Sequence, residues 1–334
     1  MLSLLRRPLG LALSGVTLVA LVALAWFALQ VDPIFSSPGA EVVITVQSGD
    51  STASVAAQLH AKGVIASALA FRAYDLITGG VIRPGSYSLR QHSTFLALTS
   101  VFNKGPNVLD VTAGQTLHEV ALNVANFEGS SWANTFVTDL TSATTPSPFT
   151  SGSSLEGLIG AGYYAITSDT TPSSLARAMV SAFTKEAATQ GLTPTTTLNG
   201  LNAYQLVIAA SIVEKEGYYP VNMPRTARVI FNRLARGGPL QMDSTVLYYL
   251  GQDGGTVTPS DLQLHTPYNT YLNNGLTPTP ICTVSSIALH SVLHAPPGPW
   301  LYFELVKKDG TMQFSATFKQ QLYWEHYVQV HGLQ

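Results

Sequence analysis

Residues 9–29 carry no charged side chain and are apolar almost throughout, and Arg6 and Arg7 stand immediately ahead of them. A helix over this run would be long enough to cross a bilayer. The run is long for the apolar region of a signal peptide, and no clear small-residue cleavage site follows it. A retained N-terminal transmembrane helix at 9–29 is therefore the expectation, with a cleaved signal peptide as the alternative. Trp26 and Phe27 sit near its far end, where interfacial aromatics belong. The two arginines place residues 1–8 in the cytoplasm and everything beyond the helix outside. The 334 residues leave ample chain for two folded domains. A net charge of −2 argues against nucleic acid as a partner. Cys282 is the only cysteine, so no intramolecular disulfide can form and packing must supply stability.

Residues 30–41, with Asp32-Pro33 and Ser37-Pro-Gly39, read as a linker. Val42 to Val46 has the composition of a strand. The segment Gln47-Ser-Gly-Asp-Ser51 follows as a turn with a helix cap, and then an apolar-periodic helix runs through Leu59. The same spacing of Val, Gly, hydroxyl and Val-Ala returns from Val111 to Ala121. Two copies are too few for a repeat architecture, and each reads as an independent strand–turn–helix. Residues 42–106 make a small αβ unit that resembles the LysM-like modules that bind glycan chains. Residues 107–334 form the larger, mixed α/β remainder. Within it, residues 129–153 are rich in Ser, Thr and Pro and read as a loop or flexible insert. Helices are expected near 172–188, 224–234 and 317–330, and a strand near 300–306. The fold class is α+β.

The apolar run from Leu206 to Val213 ends abruptly in Glu214-Lys215-Glu216. Only 11% of this chain is charged, against about a quarter in ordinary domains. Three charges at the end of an apolar helix are costly and call for a function. At 100° per residue the two glutamates point about 200° apart, so a regular helix cannot aim both into one cleft. One is free to face a ligand while the other anchors the helix. A carboxyl group against an apolar surface keeps its proton toward neutral pH, which is what a general acid requires. The plainer alternative is a solvated helix end.

Five motifs occur in a fixed order: Ala210-Ser-Ile-Val-Glu-Lys-Glu216, Phe231-Asn-Arg-Leu234, Leu240-Gln-Met-Asp-Ser-Thr-Val246, Thr266-Pro-Tyr-Asn-Thr-Tyr271 and Leu301-Tyr-Phe303. Together they resemble the endolytic murein transglycosylase family, also called YceG-like, most closely over 203–303. The resemblance implies an N-terminal membrane helix, a LysM-like subdomain and a catalytic domain. It implies cleavage of the β-1,4 bond between N-acetylmuramic acid and N-acetylglucosamine in nascent peptidoglycan, leaving 1,6-anhydro ends, with no cofactor and no metal. The second glutamate of the Glu-Lys-Glu motif, Glu216, would be the acid and then the base. Asn232, Gln241, Asp243, Tyr268, Asn269 and Tyr271 would bind the glycan strand, or else support the fold. Glu214 and Arg233 would be supporting residues, Arg233 through a salt bridge to Asp243. Glycan strands and the cytoplasmic membrane are the implied partners, with peptidoglycan synthases or division proteins suggested by the family alone.

The chain departs from the family pattern in places. The family's Glu-Gly-x-x-x-Pro-Asp-Thr-Tyr reads Glu156-Gly-Leu-Ile-Gly-Ala-Gly-Tyr-Tyr164 here. Asn222 replaces an acidic residue, and Met312 and Gln321 stand where histidines are usual. These departures keep a second reading open, a non-catalytic wall-binding or scaffold protein of the same fold. A hydrolytic muramidase is a third, with Asp243 as its extra carboxylate. His290 and His294 have helical metal-ligand spacing but lack a third ligand.

Overall fold

A computed structural model of the chain describes residues 6–32, 39–47, 49–106, 108–142, 144–150, 152, 154–166, 170–217 and 219–333, with side chains in the first helix described from Thr17 onward. The chain separates into two compact units. One comprises Met1–Leu109 with Ala165–Thr170, and the other Asp110–Tyr164 with Thr171–Gln334.

The smaller unit holds α1 (Arg6–Val31), β1 (Glu41–Val46), α2 (Thr52–Ala61), α3 (Ala68–Thr78), β2 (Gly85–Arg90) and α4 (Phe95–Lys104). β1 and β2 pair antiparallel, with Val42 opposite Leu89 and Ile44 opposite Tyr87. Ile44, Val46, Tyr87 and Leu89 are buried, the alternation of a sheet with one covered face. Phe71, Phe95 and Phe102 close the core, Phe71 meeting Phe95 edge-on at 5.4 Å. Ser51, Ser67 and Thr94 cap α2, α3 and α4 through their hydroxyls. The expected span at 9–29 falls in α1, and its first part lies outside the residues whose side chains are described. Among the described residues no helix is long and apolar enough to cross a membrane.

The chain passes between the units within β3 (Val108–Val111), within β4 (Gly162–Ala165) and again between Thr170 and Thr171. The larger unit is mainly helical: α5 (Leu117–Glu128), α6 (Ser130–Thr141), α7 (Pro172–Thr189), the small ribbon β5 (Thr197–Leu198) and β6 (Leu201–Asn202), then α8 (Ala203–Glu216), α9 (Met223–Ala235), α10 (Asp243–Tyr249) and α11 (Ser286–Leu293). The antiparallel pair β7 (Tyr302–Leu305) and β8 (Met312–Ser315) and the final helix α12 (Phe318–His331) complete it. The fold is thus mixed α and β, with two-stranded sheets throughout the described residues.

The expected loop at 129–153 is corrected by α6. Its polar composition hides an apolar stripe: Ala133, Phe136 and Leu140 recur at helical spacing and are buried, packed beside α5 and α7. Elsewhere the expected helices and strand fall within a few residues of α7, α9, α12 and β7.

Candidate active site

The site is built on α8. Asn202 starts the helix with a reciprocal cap: its side chain accepts from the Gln205 N–H and the Gln205 side chain accepts from the Asn202 N–H, each at 2.9 Å. From Leu206 to Val213 every residue is buried, so α8 has no solvated face. It is the central helix of the larger unit, packed by α9, α10 and α11. Its one buried hydroxyl, Ser211, is satisfied by donating to the Ile208 carbonyl and accepting from the Ile281 N–H. Gly217 ends the helix where there is no room for a side chain: a Cβ would lie 2.6 Å from Met223 Cγ and 2.7 Å from the Val213 carbonyl.

At the point where α8 emerges, its three charges go three ways. Glu214 Oε2 accepts from the Ser285 N–H at 2.9 Å and from the Ser285 hydroxyl at 2.6 Å, which ties α8 to the start of α11. Lys215 donates to the Gly114 carbonyl at 2.9 Å and pairs with Asp253. Glu216 Oε1 accepts from the Ser244 N–H at 3.0 Å, in the first turn of α10. Burial raises the Glu216 pKa, outweighing the hydrogen bond from the Ser244 N–H. Nearby Asp243 pushes it up further, and Arg233 only partly opposes this.

Glu216 faces a cleft of about 1140 Å³ within the larger unit. Gln241, Asp243, Tyr268 and Tyr271 line the same cleft, as do Glu214 and Arg233. Asp243 accepts the Tyr271 hydroxyl at 2.5 Å. The expected Arg233–Asp243 salt bridge is absent. Arg233 donates instead to the carbonyls of Leu301, at 2.6 Å, and Leu240, and its guanidinium stacks 5.2 Å from the Tyr302 ring centre. Backbone carbonyls offer the planar guanidinium a fixed set of acceptors, so a carboxylate is not needed to hold it. Tyr268 exchanges a hydrogen bond with Thr279 at 2.9 Å and leaves one ring face against Tyr248.

Two of the expected glycan-binding residues lie elsewhere. Asn232 is not in the cleft lining; its amide donates to the carbonyls of Gly298 and Trp300 at 2.9 and 2.7 Å and fixes the approach to β7. Asn269 is fully buried, donates to Leu262 and Leu264 and accepts from the Tyr271 N–H. It shapes the turn that presents Tyr268 and Tyr271. Asn222, also buried, donates to the Gly310 carbonyl at 2.8 Å.

A further carboxyl group in the cleft, Glu156, was not among the expected site residues. Glu156 is 5% exposed and accepts from the Leu117 N–H at 3.1 Å and from the Tyr248 hydroxyl at 3.1 Å. Burial raises its pKa to about 7, against the smaller effect of these bonds. The next residue, Gly157, has φ +71°, and a Cβ there would meet Pro280 Cβ at 2.3 Å. The Glu-Gly pair in the altered motif was the available signal: the glycine lets the chain turn under the 280–282 segment, and the carboxyl is carried into the cleft floor.

A family model described as the YceG-like family matches residues 44–324. The endolytic murein transglycosylase of Bacillus subtilis (strain 168) is 27% identical over 309 residues, which is 86% of this chain and 85% of that protein. The protein of the same name from Streptococcus pneumoniae (serotype 2, strain D39) is 26% identical over 321 residues, and the chain matches 57% of its length. A crystal structure of a putative yceG-like protein from Listeria monocytogenes shares the fold, with a TM-score of 0.57, 23% identity, and coverage of 85% of this chain and 98% of that one.

Proposed function

The chain belongs to the YceG-like family, and on that premise we propose that it is an endolytic lytic transglycosylase acting on peptidoglycan glycan strands. The observation that carries the reading is Glu216, a cleft carboxyl group whose pKa burial raises, beside tyrosine rings that can stack on sugars. Glu216 protonates the bridging oxygen as the C1–O bond of N-acetylmuramic acid breaks. The resulting carboxylate then takes the proton of the same sugar's 6-hydroxyl, whose oxygen bonds to C1 and closes the 1,6-anhydro ring. No water is consumed, so one carboxyl group suffices where hydrolysis usually needs two. Gln241, Tyr268 and Tyr271 contact the strand, and Arg233 and Glu214 hold the cleft walls. Asp243, engaged by Tyr271, is assigned to substrate hydroxyls.

α1 serves as the membrane anchor in this reading, with residues 1–8 cytoplasmic and both folded units outside. It is supported by Arg6 and Arg7 and by the apolar, exposed side chains of 17–26. The smaller unit, with its strand–helix–helix–strand order, serves as a LysM-like glycan-binding module.

The test is digestion of purified peptidoglycan by the protein, with the new ends read by mass spectrometry. Products lighter than hydrolytic ones by one water support the lyase. Reducing muramic acid ends that disappear in Asp243→Asn would replace it with the muramidase reading. Binding without cleavage would leave the scaffold reading.

A further inference from the structure

Side chains 17–26 of α1 are exposed on every side, and nearly all of them are apolar. At the next residue the helix changes character: Phe27 and Val31, four residues apart, pack against the core of the smaller unit, and α1 touches both α3 and α4. At 1.5 Å per residue, Trp26 and Val31 are about 7.5 Å apart along the axis. The folded unit therefore begins within about the depth of one headgroup layer of the uncovered apolar helix.

α3, one of the helices on which α1 rests, is itself apolar on its outer face. Leu69 and Leu76 share that face with Arg72 and Ala73, at helical three- and four-residue spacing. Leu69 is 68% exposed, Leu76 87% and the adjoining Ile77 78%, and Val81 follows just past the helix. Leu96, in the first turn of α4, is 71% exposed. Asp75, the only acidic residue of α3, is turned away and accepts from the Thr52 hydroxyl at 3.1 Å. The outer face thus combines exposed leucines and isoleucine with one cation, the chemistry of a surface that lies at a lipid boundary.

We infer that the outer face of α3, with its C-terminal tip through Val81, seats the smaller unit on the bilayer that carries α1. This rests on the anchor reading of α1. The leucines and Ile77 enter the headgroup–acyl boundary, and Arg72 meets lipid phosphate. The partner is a lipid surface, and the unit is held against it by its docked helix rather than tethered at a distance.

The full chain, reconstituted in phosphatidylethanolamine–phosphatidylglycerol vesicles, tests this with an environment-sensitive fluorophore on Leu76→Cys, Ile77→Cys or Val22→Cys. Cys282 is buried and stays unlabelled. All three labels are expected to lose most of their emission to doxyl-labelled lipids and to be shielded from iodide. A label at 76 and 77 open to iodide, with the label at 22 in lipid, would overturn the inference and leave the anchor standing. All labels open to iodide would overturn both. Labels at 76 and 77 shielded from iodide but unaffected by doxyl lipid would mean that protein, such as a second copy of the chain, covers the face, which also overturns it. Lipid quenching at 76 and 77 without quenching at 22 would leave a surface contact but overturn the anchor, and with it the inference that this face lies on the bilayer that carries α1. Because Leu76 and Ile77 are so exposed, their replacement leaves the core intact.

Discussion

Glu216→Gln keeps an oxygen within reach of the Ser244 N–H and removes the transferable proton. Cleavage should be lost, while stability stays within about 1 kcal/mol of wild type or rises, because a costly buried carboxyl is gone. Full activity in this variant, with Glu214→Gln inactive, would transfer the role to Glu214. Glu156 is expected to report through stability instead. Its pKa is about 7 in the folded chain against an ordinary 4.5, so the native state holds the proton more tightly. That contribution is complete below about pH 4.5 and is lost as pH rises to about 7, roughly 3 kcal/mol in all. Glu156→Gln imitates the protonated form. Denaturant unfolding across this range should show wild type losing stability relative to the variant, and parallel curves would refute the assignment. That Glu214 and Glu216 take different partners was legible, because helix geometry separates their directions by about 200°; that both line one cleft was not, and corrects the expectation that only one could reach it. The positions of Asn232 and Asn269 were not legible, because an amide serves a sugar and a backbone carbonyl equally well and only the fold decides which is near.

Helices with a clear start were readable to within a residue or two, since Thr171 and Thr317 close reciprocal caps that short sequence patterns announce. α6 lacks a side-chain cap and is dominated by Ser and Thr, so its buried stripe was outweighed by composition. The link between α8 and α11 has no local signature at all, because Glu214 and Ser285 meet only in the folded chain. Ser285 both caps α11, accepting from the Ala288 N–H at 3.0 Å, and donates to Glu214. Ser285→Ala should therefore cost about 1–2 kcal/mol, more than an isolated cap of this kind. Denaturant unfolding measures this, and a loss of a few tenths would mean that the Ser285 N–H alone holds Glu214.

For the whole molecule, a linear reading supplies one cut near 106, but the contacts assign the short segment Ala165–Thr170 to the first unit. Return of the chain to an earlier unit leaves no mark in periodicity or composition. Topology is tested at this scale: protease added to intact protoplasts should digest the folded units, and their protection would refute the extracytoplasmic placement. The three charges that close α8 also bear on how such chains can diverge. Each is committed to a different neighbour, Ser285, Asp253 or Ser244. Insertion or deletion of one residue in α8 would turn all three by about 100°, and no single substitution could return them to their partners. Side chains along the helix can be exchanged as relatives drift to the 27% identity seen here, but the count of residues between Asn202 and Gly217 cannot, so alignment gaps should be missing from that interval even where identity is lowest.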